Sequence, residues 1–388
     1  MWSKICLFAS VSPACVMMGS MAYSGIDLSA FGADALVSEP TVVACTLENG
    51  EASQCAQIVV KYKPDNLGIG PFCPATVDDA GGIWDWDGEE AGLYRLDGEF
   101  FYMLADQGYD FTDGDGHVHM IDNATVRPTV DHACIAVEAS EGAEMTILLP
   151  MTPVMAENAT ALRTVNKVGL ALDGVPIFSD APSVAVTGHL PALDTCGGHV
   201  DPGGWYHWHA TSTDIDDVYR AHGVDAHCGE VEQQASAQFG YAFDGFAMFG
   251  SQEMDGATPT GLDECDGHIG VTPNAPDGEY HYHTTLDFPN LPTCLSGVQA
   301  QNNFTTTASA GVGAAAEFRD VGPGAPDQHR GLPPGFDKAA IELGVSEDAL
   351  MQAINAAGGP QLDFSKAAEM LNVSEDALRG ALPPPPQR

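Results

Sequence analysis

Positive charge is scarce in this 388-residue chain: 14 lysines and arginines stand against 54 acidic residues, for a formal net charge of −40. A polyanion of that strength repels phosphate backbones and anionic lipid surfaces, which excludes nucleic acid as a partner. Long hydrophobic runs are also missing. Beyond residue 22 no stretch approaches the roughly 18 apolar residues that a membrane-crossing helix requires. Nor is there a Cys-x-x-Cys pair, a Gly-x-Ser-x-Gly elbow, a phosphate loop or a dinucleotide fingerprint. Thiol exchange, serine-elbow hydrolysis and nucleotide chemistry therefore have no motif to rest on.

The first 22 residues carry an export pattern. Lys4 supplies a positive start, residues 5–18 are mostly apolar, and Ser20 and Ala22 place small side chains where a signal peptidase reads. The expected location is periplasmic or extracellular, with no membrane span once the signal is removed. Cys6 and Cys15 would leave with it, and eight cysteines would remain: Cys45, Cys55, Cys73, Cys134, Cys196, Cys228, Cys265 and Cys294. An even number in an oxidising compartment favours up to four disulfides. Cys45–Cys55 closes a short loop, and Cys196–Cys228 and Cys265–Cys294 are parallel choices; connectivity as a whole stays open.

Glycine and proline, at 43 and 26 residues, suit a chain of turns and short strands. A lead-in segment (23–44) precedes a β-rich part (45–150), with strands expected at 56–62 and 145–149. Between them, the pairs Asp87-Gly88 and Asp97-Gly98 are expected to mark tight turns between short strands. Residues 151–304 hold an internal duplication. Asp173-Gly174, then Cys196 and His199, then His207 and His209 recur as Asp244-Gly245, Cys265 and His268, and His281 and His283, at offsets of 71, 69 and 74 residues. Each copy reads as strand, Asp-Gly turn, strand, a loop carrying the first histidine, and a strand carrying the other two. The fold class expected is mainly β: a duplicated β-rich domain with a pseudo-twofold repeat, each copy covering the other's apolar face, plus a small C-terminal α-helical hairpin repeat. A linker (305–335) separates the two parts. The helical part (336–382) repeats with a 28-residue period, with Ser346 and Ser374 as helix N-caps and Gly344 and Asn372 as C-caps, and a Pro-rich tail (383–388) follows. These hairpins have no basic face, so their expected partner is a protein and not DNA.

The duplicated histidines carry the chemistry. Residues i and i+2 of a strand face the same way, ~6.6–7 Å apart, so His207/His209 and His281/His283 each present two imidazoles side by side. His199 and His268 are the natural third ligands. Three imidazoles make a metal site with an open position. Such ligation suits copper or zinc, copper slightly ahead, whereas calcium wants oxygen. Whether the copies share one site or form two is open. Asp173 and Asp244 shape turns or orient an imidazole. Asp113, Asp115, His117 and His119 form a weaker cluster, short of a full calcium loop. Trp84 and Trp86 are expected in the core, and His222 and His227 in loops.

Tyr206-His207-Trp208-His209 and Tyr280-His281-Tyr282-His283 resemble the tetrad of the YHYH-domain proteins, an exported family. The stretches Asp194 to His199, Leu262 to His268 and Tyr241 to Gly245 resemble its other elements. The resemblance covers about residues 145–300. Trp208 replaces the second tyrosine of the first tetrad, which affects only a role for that phenol. The family implies a duplicated β-rich domain and specifies no reaction. Three functions compete: an exported metal-binding protein, a metalloenzyme (oxidoreductase or hydrolase) at the same histidines, and a structural or adhesive surface protein whose histidines are satisfied in the core. No catalytic residue is assigned.

Overall fold

The computed structural model describes residues 25–86, 88–122, 130, 132–162, 166–179, 192–229, 231, 233–287 and 290–314. In the C-terminal part it describes 339, 343, 345, 350, 353–354, 364–371 and 373–382. The expected export signal, the Pro-rich tail, most of the linker, Asp87, Gly344, Ser346 and Asn372 lie outside the described residues.

β1 (Thr41–Thr46) and β2 (Ala52–Lys61) pair antiparallel and are tied by the Cys45–Cys55 disulfide. The hairpin β3 (Ile83–Trp86) and β4 (Gly92–Arg95), helix α1 (Gly98–Asp106) and the short parallel pair β5 (Met120–Ile121) and β6 (Cys134–Ile135) follow. They build a satellite core around Trp84, Trp86, Phe100 and Phe111, stapled by Cys73–Cys134. The Asp97-Gly98 pair starts α1 and does not turn a hairpin. Asp97 Oδ1 accepts the backbone N–H of Phe100 at 3.1 Å, which satisfies one of the donors a helix start leaves over.

β7 (Glu144–Pro150) pairs with β2, placing Ile58 opposite Ile147 and Val60 opposite Met145. All four are fully buried, each adding about 1.5–3 kcal/mol of apolar burial. β8 (Met155–Ala161) leads into the duplication. Its first copy is β9 (Asn166–Ala171), β10 (Pro176–Ser179), β11 (Gly198–Val200) and β12 (Tyr206–Trp208); helix α2 (Ser212–His222) follows. The second copy is β13 (Gln238–Ala242), β14 (Ala247–Phe249), β15 (Gly267–Gly270) and β16 (Glu279–His283). β17 (Cys294–Gly297) pairs with β8. β18 (Phe304–Thr306) pairs with β7 and completes the four-stranded sheet β1-β2-β7-β18. Two short helices, α3 (Phe364–Leu371) and α4 (Glu375–Ala381), share a separate small core with Leu350 and Ile354. Ser374 caps α4 by accepting from Ala377 N.

The fold is mainly β, and the duplication is visible in one eight-stranded sheet of order β11-β12-β10-β9-β13-β14-β16-β15. Reading outward from the centre, each half repeats the same sequence of strands. Leu170 pairs with its own counterpart Tyr241, and the local pseudo-twofold runs between them. The copies therefore join edge to edge, and the expectation that each covers the other's apolar face is corrected. Gly169 and Gly240 permit the junction: a Cβ on either would lie 2.2–2.3 Å from a carbonyl oxygen across the seam. Residues of the four-stranded sheet share the main core instead, with Ile58, Val60, Ile147 and Leu149 in the same cluster as Leu170, Ile177, Tyr241 and Met248.

Two segments are more integrated than the sequence suggested. Ile26, Phe31 and Ala35 of the lead-in are buried in the main core, and the expected linker contributes two strand residues before reaching Gly313, whose carbonyl accepts from Thr306 N. Helix α2 was not anticipated. Its signals are ordinary ones: Thr211 accepts from Asp214 N as N-cap, and Gly223 terminates it at φ 71°.

Candidate metal centres

Each copy positions its first histidine with the same device. Asp194 Oδ1 accepts the N–H groups of Cys196 and Gly198 at 2.9 and 3.1 Å, and Asp263 Oδ1 accepts those of Cys265 and Gly267 at 2.9 and 3.0 Å. The second oxygen of each carboxylate accepts a tetrad phenol, Tyr206 at 2.7 Å and Tyr280 at 2.8 Å. Gly198 and Gly267 make room for that phenol; a Cβ there would sit 2.2 and 2.0 Å from the tyrosine oxygen. Disulfides Cys196–Cys228 and Cys265–Cys294 pin the two turns. His199 and His268 then lie on strands, not in loops, directly opposite His207 and His281 in register.

A second pair of aspartates holds the residue between the two tetrad histidines. Asp173 Oδ2 accepts Trp208 Nε1 at 3.0 Å and Gln233 Nε2 at 2.8 Å. Asp244 Oδ2 accepts Tyr282 Oη at 2.6 Å and Gly297 N at 2.8 Å. Each also closes its own turn, to Val175 N and Phe246 N. Neither touches an imidazole, so they set turn geometry and anchor the intervening aromatic. Trp208 keeps the anchor that Tyr282 makes, which explains why the indole can stand in for the phenol. Burial pushes the carboxyls of Asp194 and Asp244 up to about 6 and also raises that of Asp173.

The imidazoles converge as two groups, one per copy. In copy 1, His199 Nε2 lies 2.8 Å from His207 Nε2 and 3.1 Å from His209 Nε2. In copy 2, His281 Nε2 lies 3.2 Å from His268 Nε2 and 3.1 Å from His283 Nε2. Tetrahedral ligation with metal–nitrogen bonds of about 2.0–2.1 Å separates donor atoms by about 3.3 Å, so both triplets have the right span. The Nδ1 atoms of copy 2 face backbone carbonyls: His268 to Thr260 at 3.1 Å, His281 to Glu279 at 3.1 Å and His283 to Gly250 at 2.8 Å. A carbonyl only accepts, so each Nδ1 carries hydrogen, and the neutral rings of His281 and His283 turn a bare Nε2 inward. Burial lowers the basicity of His281 and His283 to about 4 and holds those of His199 and His207 well below the usual imidazole range.

Compared with family models, residues 146–261 and 252–297 match the one described as YHYH protein. The match spans residues 146–297, less than half of the chain, as a YHYH domain. No curated protein and no solved structure matches the chain.

The two halves of the YHYH domain are not equivalent. Glu253, in the segment after β14, brings Oε1 to 3.2 Å from His268 Nε2 and Oε2 to 3.9 Å from His283 Nε2, adding a carboxylate to copy 2. In copy 1 the group consists of the three histidines alone among the described residues, and Nδ1 of His199 and His207 is buried without a hydrogen-bond partner there. Sequence reasoning missed Glu253, which has no counterpart at a fixed spacing: 71 residues earlier stands Pro182. It also missed Asp194 and Asp263 as positioning residues, although both precede the cysteine by two positions. A third group, Asp113, Asp115 and His117, is exposed. Asp113 there is occupied by the N–H groups of Asp115 and His117 and by the His117 ring. His119 faces the carbonyl of Asp110 instead. His222 and His227 meet Val218 O and Asp216, outside both triplets.

Proposed function

We propose that this chain is an exported metal-binding protein whose YHYH domain holds one copper or zinc ion in each histidine triplet. The observation that carries the reading is in copy 2, where three rings commit their Nδ1 hydrogens to carbonyls and bring three Nε2 atoms together, two of them, on His281 and His283, as lone pairs of neutral rings facing each other at 3.1 Å. Lone pairs facing each other at that distance repel unless a cation lies among them. A proton is disfavoured because His281 and His283 resist protonation down to about pH 4. A divalent ion with affinity for imidazole meets the requirement, and copper precedes zinc in the general affinity order.

The rival structural reading asks for buried imidazoles satisfied by carbonyls. It accounts for the Nδ1 side of copy 2 and for His268 Nε2 as a donor to Glu253, and leaves the 3.1 Å approach of His281 and His283 Nε2 unexplained. Export is supported by four disulfides, since such bonds persist in oxidising compartments; among the described residues no helix is long and apolar enough to cross a membrane. The test is elemental mass spectrometry on purified protein before and after exposure to Cu(II) and Zn(II), with His207→Ala and His281→Ala as separate variants. Two equivalents in the wild type and one in each variant are expected. No stoichiometric transition metal under any condition would overturn the reading.

A further inference from the structure

In copy 1, His209 forms part of the wall of a cavity of about 200 Å³. Beside His209 and Leu193, three further parts of the chain line it. Ile83 and Leu93 come from the β3–β4 hairpin, Ile215 and Val218 from α2, and Leu286 from the segment after β16. The space has room for a molecule of one or two rings and lies below the roughly 300–1,000 Å³ of drug-sized ligand pockets, so it does not suit a polymer chain. The largely aliphatic wall suits an apolar body. Asp85 and Asp287 also line the space, and with the overall charge of −40 they disfavour an anion.

We propose that copy 1 is the YHYH domain's open site, and that this cavity binds a small, neutral or cationic molecule with an apolar body and a nitrogen donor that coordinates the ion held by His199, His207 and His209. The inference rests on the metal reading of that triplet. It divides the labour between the copies. In copy 2 Glu253 stands beside the nitrogens and would serve as a resident fourth ligand, whereas in copy 1 the three histidines have no such carboxylate among the described residues and His209 borders the cavity, from which a fourth ligand would come. The duplicated scaffold thus supplies one filled site and one that exchanges ligands, and the difference comes from residues outside the duplicated motifs.

Cobalt(II) is the probe, because its visible absorption reports coordination. A His281→Ala/His283→Ala protein retains only copy 1, and a His207→Ala/His209→Ala protein only copy 2. Each is loaded with Co(II), its cobalt content measured, and titrated with imidazole and with 4-phenylimidazole. The copy 1 protein is expected to bind 4-phenylimidazole at least tenfold more tightly than imidazole, with a changed spectrum; the copy 2 protein is expected not to respond. Leu286→Arg, at a side chain 47% exposed and so tolerant of change, is expected to remove that tenfold preference, as is Leu93→Arg. Equal affinities for the two probes, or a preference untouched by both substitutions, would overturn the pocket while leaving the metal reading in place. Failure of the folded copy 1 protein to take up cobalt would overturn both.

Discussion

Asp244→Asn isolates the energetic role of the buried aspartate anchors. Asp244 is fully buried, and its carboxyl, pushed up by burial to about 6 from the usual 3.8, accepts from Phe246 N, Tyr282 Oη and Gly297 N. Between those two values the folded state keeps a proton that the unfolded chain has lost. Stability from this group is therefore present at low pH and declines as pH rises through the window. With one pKa unit equal to about 1.36 kcal/mol, the loss between pH 4 and pH 7 is about 2–3 kcal/mol. Asparagine does not titrate, so the stability of wild type relative to Asp244→Asn should fall by that amount across the interval. The histidines titrate in both proteins and cancel in the difference. Urea denaturation of the metal-free proteins at pH 4, 5, 6 and 7, followed by tryptophan fluorescence, measures it. A difference flat to within about 0.5 kcal/mol, or one that grows with pH, would refute the argument that a desolvated carboxyl anchors Tyr282.

Gly267→Ala places a Cβ 2.0 Å from the Tyr280 oxygen and should cost about 2–4 kcal/mol in chemical denaturation by dislodging that phenol from Asp263. Gly142→Ala, which meets nothing within 4 Å, is the neutral control. Glu253→Gln should weaken zinc or copper binding at copy 2 by about 10- to 100-fold in competition titrations and leave copy 1 unchanged; equal losses at both sites would contradict the assignment of Glu253. Finally, His281 and His283 titrate near 4 when folded and near 6.5 when unfolded, so the unfolded chain gains protons first as pH drops. Measured against a His281→Gln/His283→Gln variant, so that the opposing contributions of the raised carboxyls cancel, the metal-free protein should lose up to about 3 kcal/mol per histidine between pH 6.5 and pH 4; a difference in stability that holds steady through that interval would argue against buried neutral rings.

The local grammar of this protein was legible in the chain. Period-2 spacing put His207 with His209 and His281 with His283 on common faces, and the repeated Cys and His positions identified the third ligand of each set. The parity of the cysteines allowed up to four disulfides and left their connectivity open; the three pairings that loop length and repeat symmetry offered are among the four that form. Those features depend on residues close in sequence, where strand and turn geometry leave few choices.

Tertiary structure decided the rest, because it depends on contacts between distant residues. Leu170 meeting Tyr241 made the duplication one continuous sheet instead of two packed faces. The Asp173 and Asp244 carboxylates turned out to hold Trp208 and Tyr282 and no imidazole, a distinction that depends on which strand lies beside which turn. Glu253 reaches its histidines from a segment with no periodic signature, and the cavity at His209 needs a hairpin, a helix and a loop from three parts of the chain. Sequence determined that each copy would offer three imidazoles. Only the fold decided that they form two separate groups with unequal surroundings, since burial, register and the fourth neighbour of a ligand set are properties of packing.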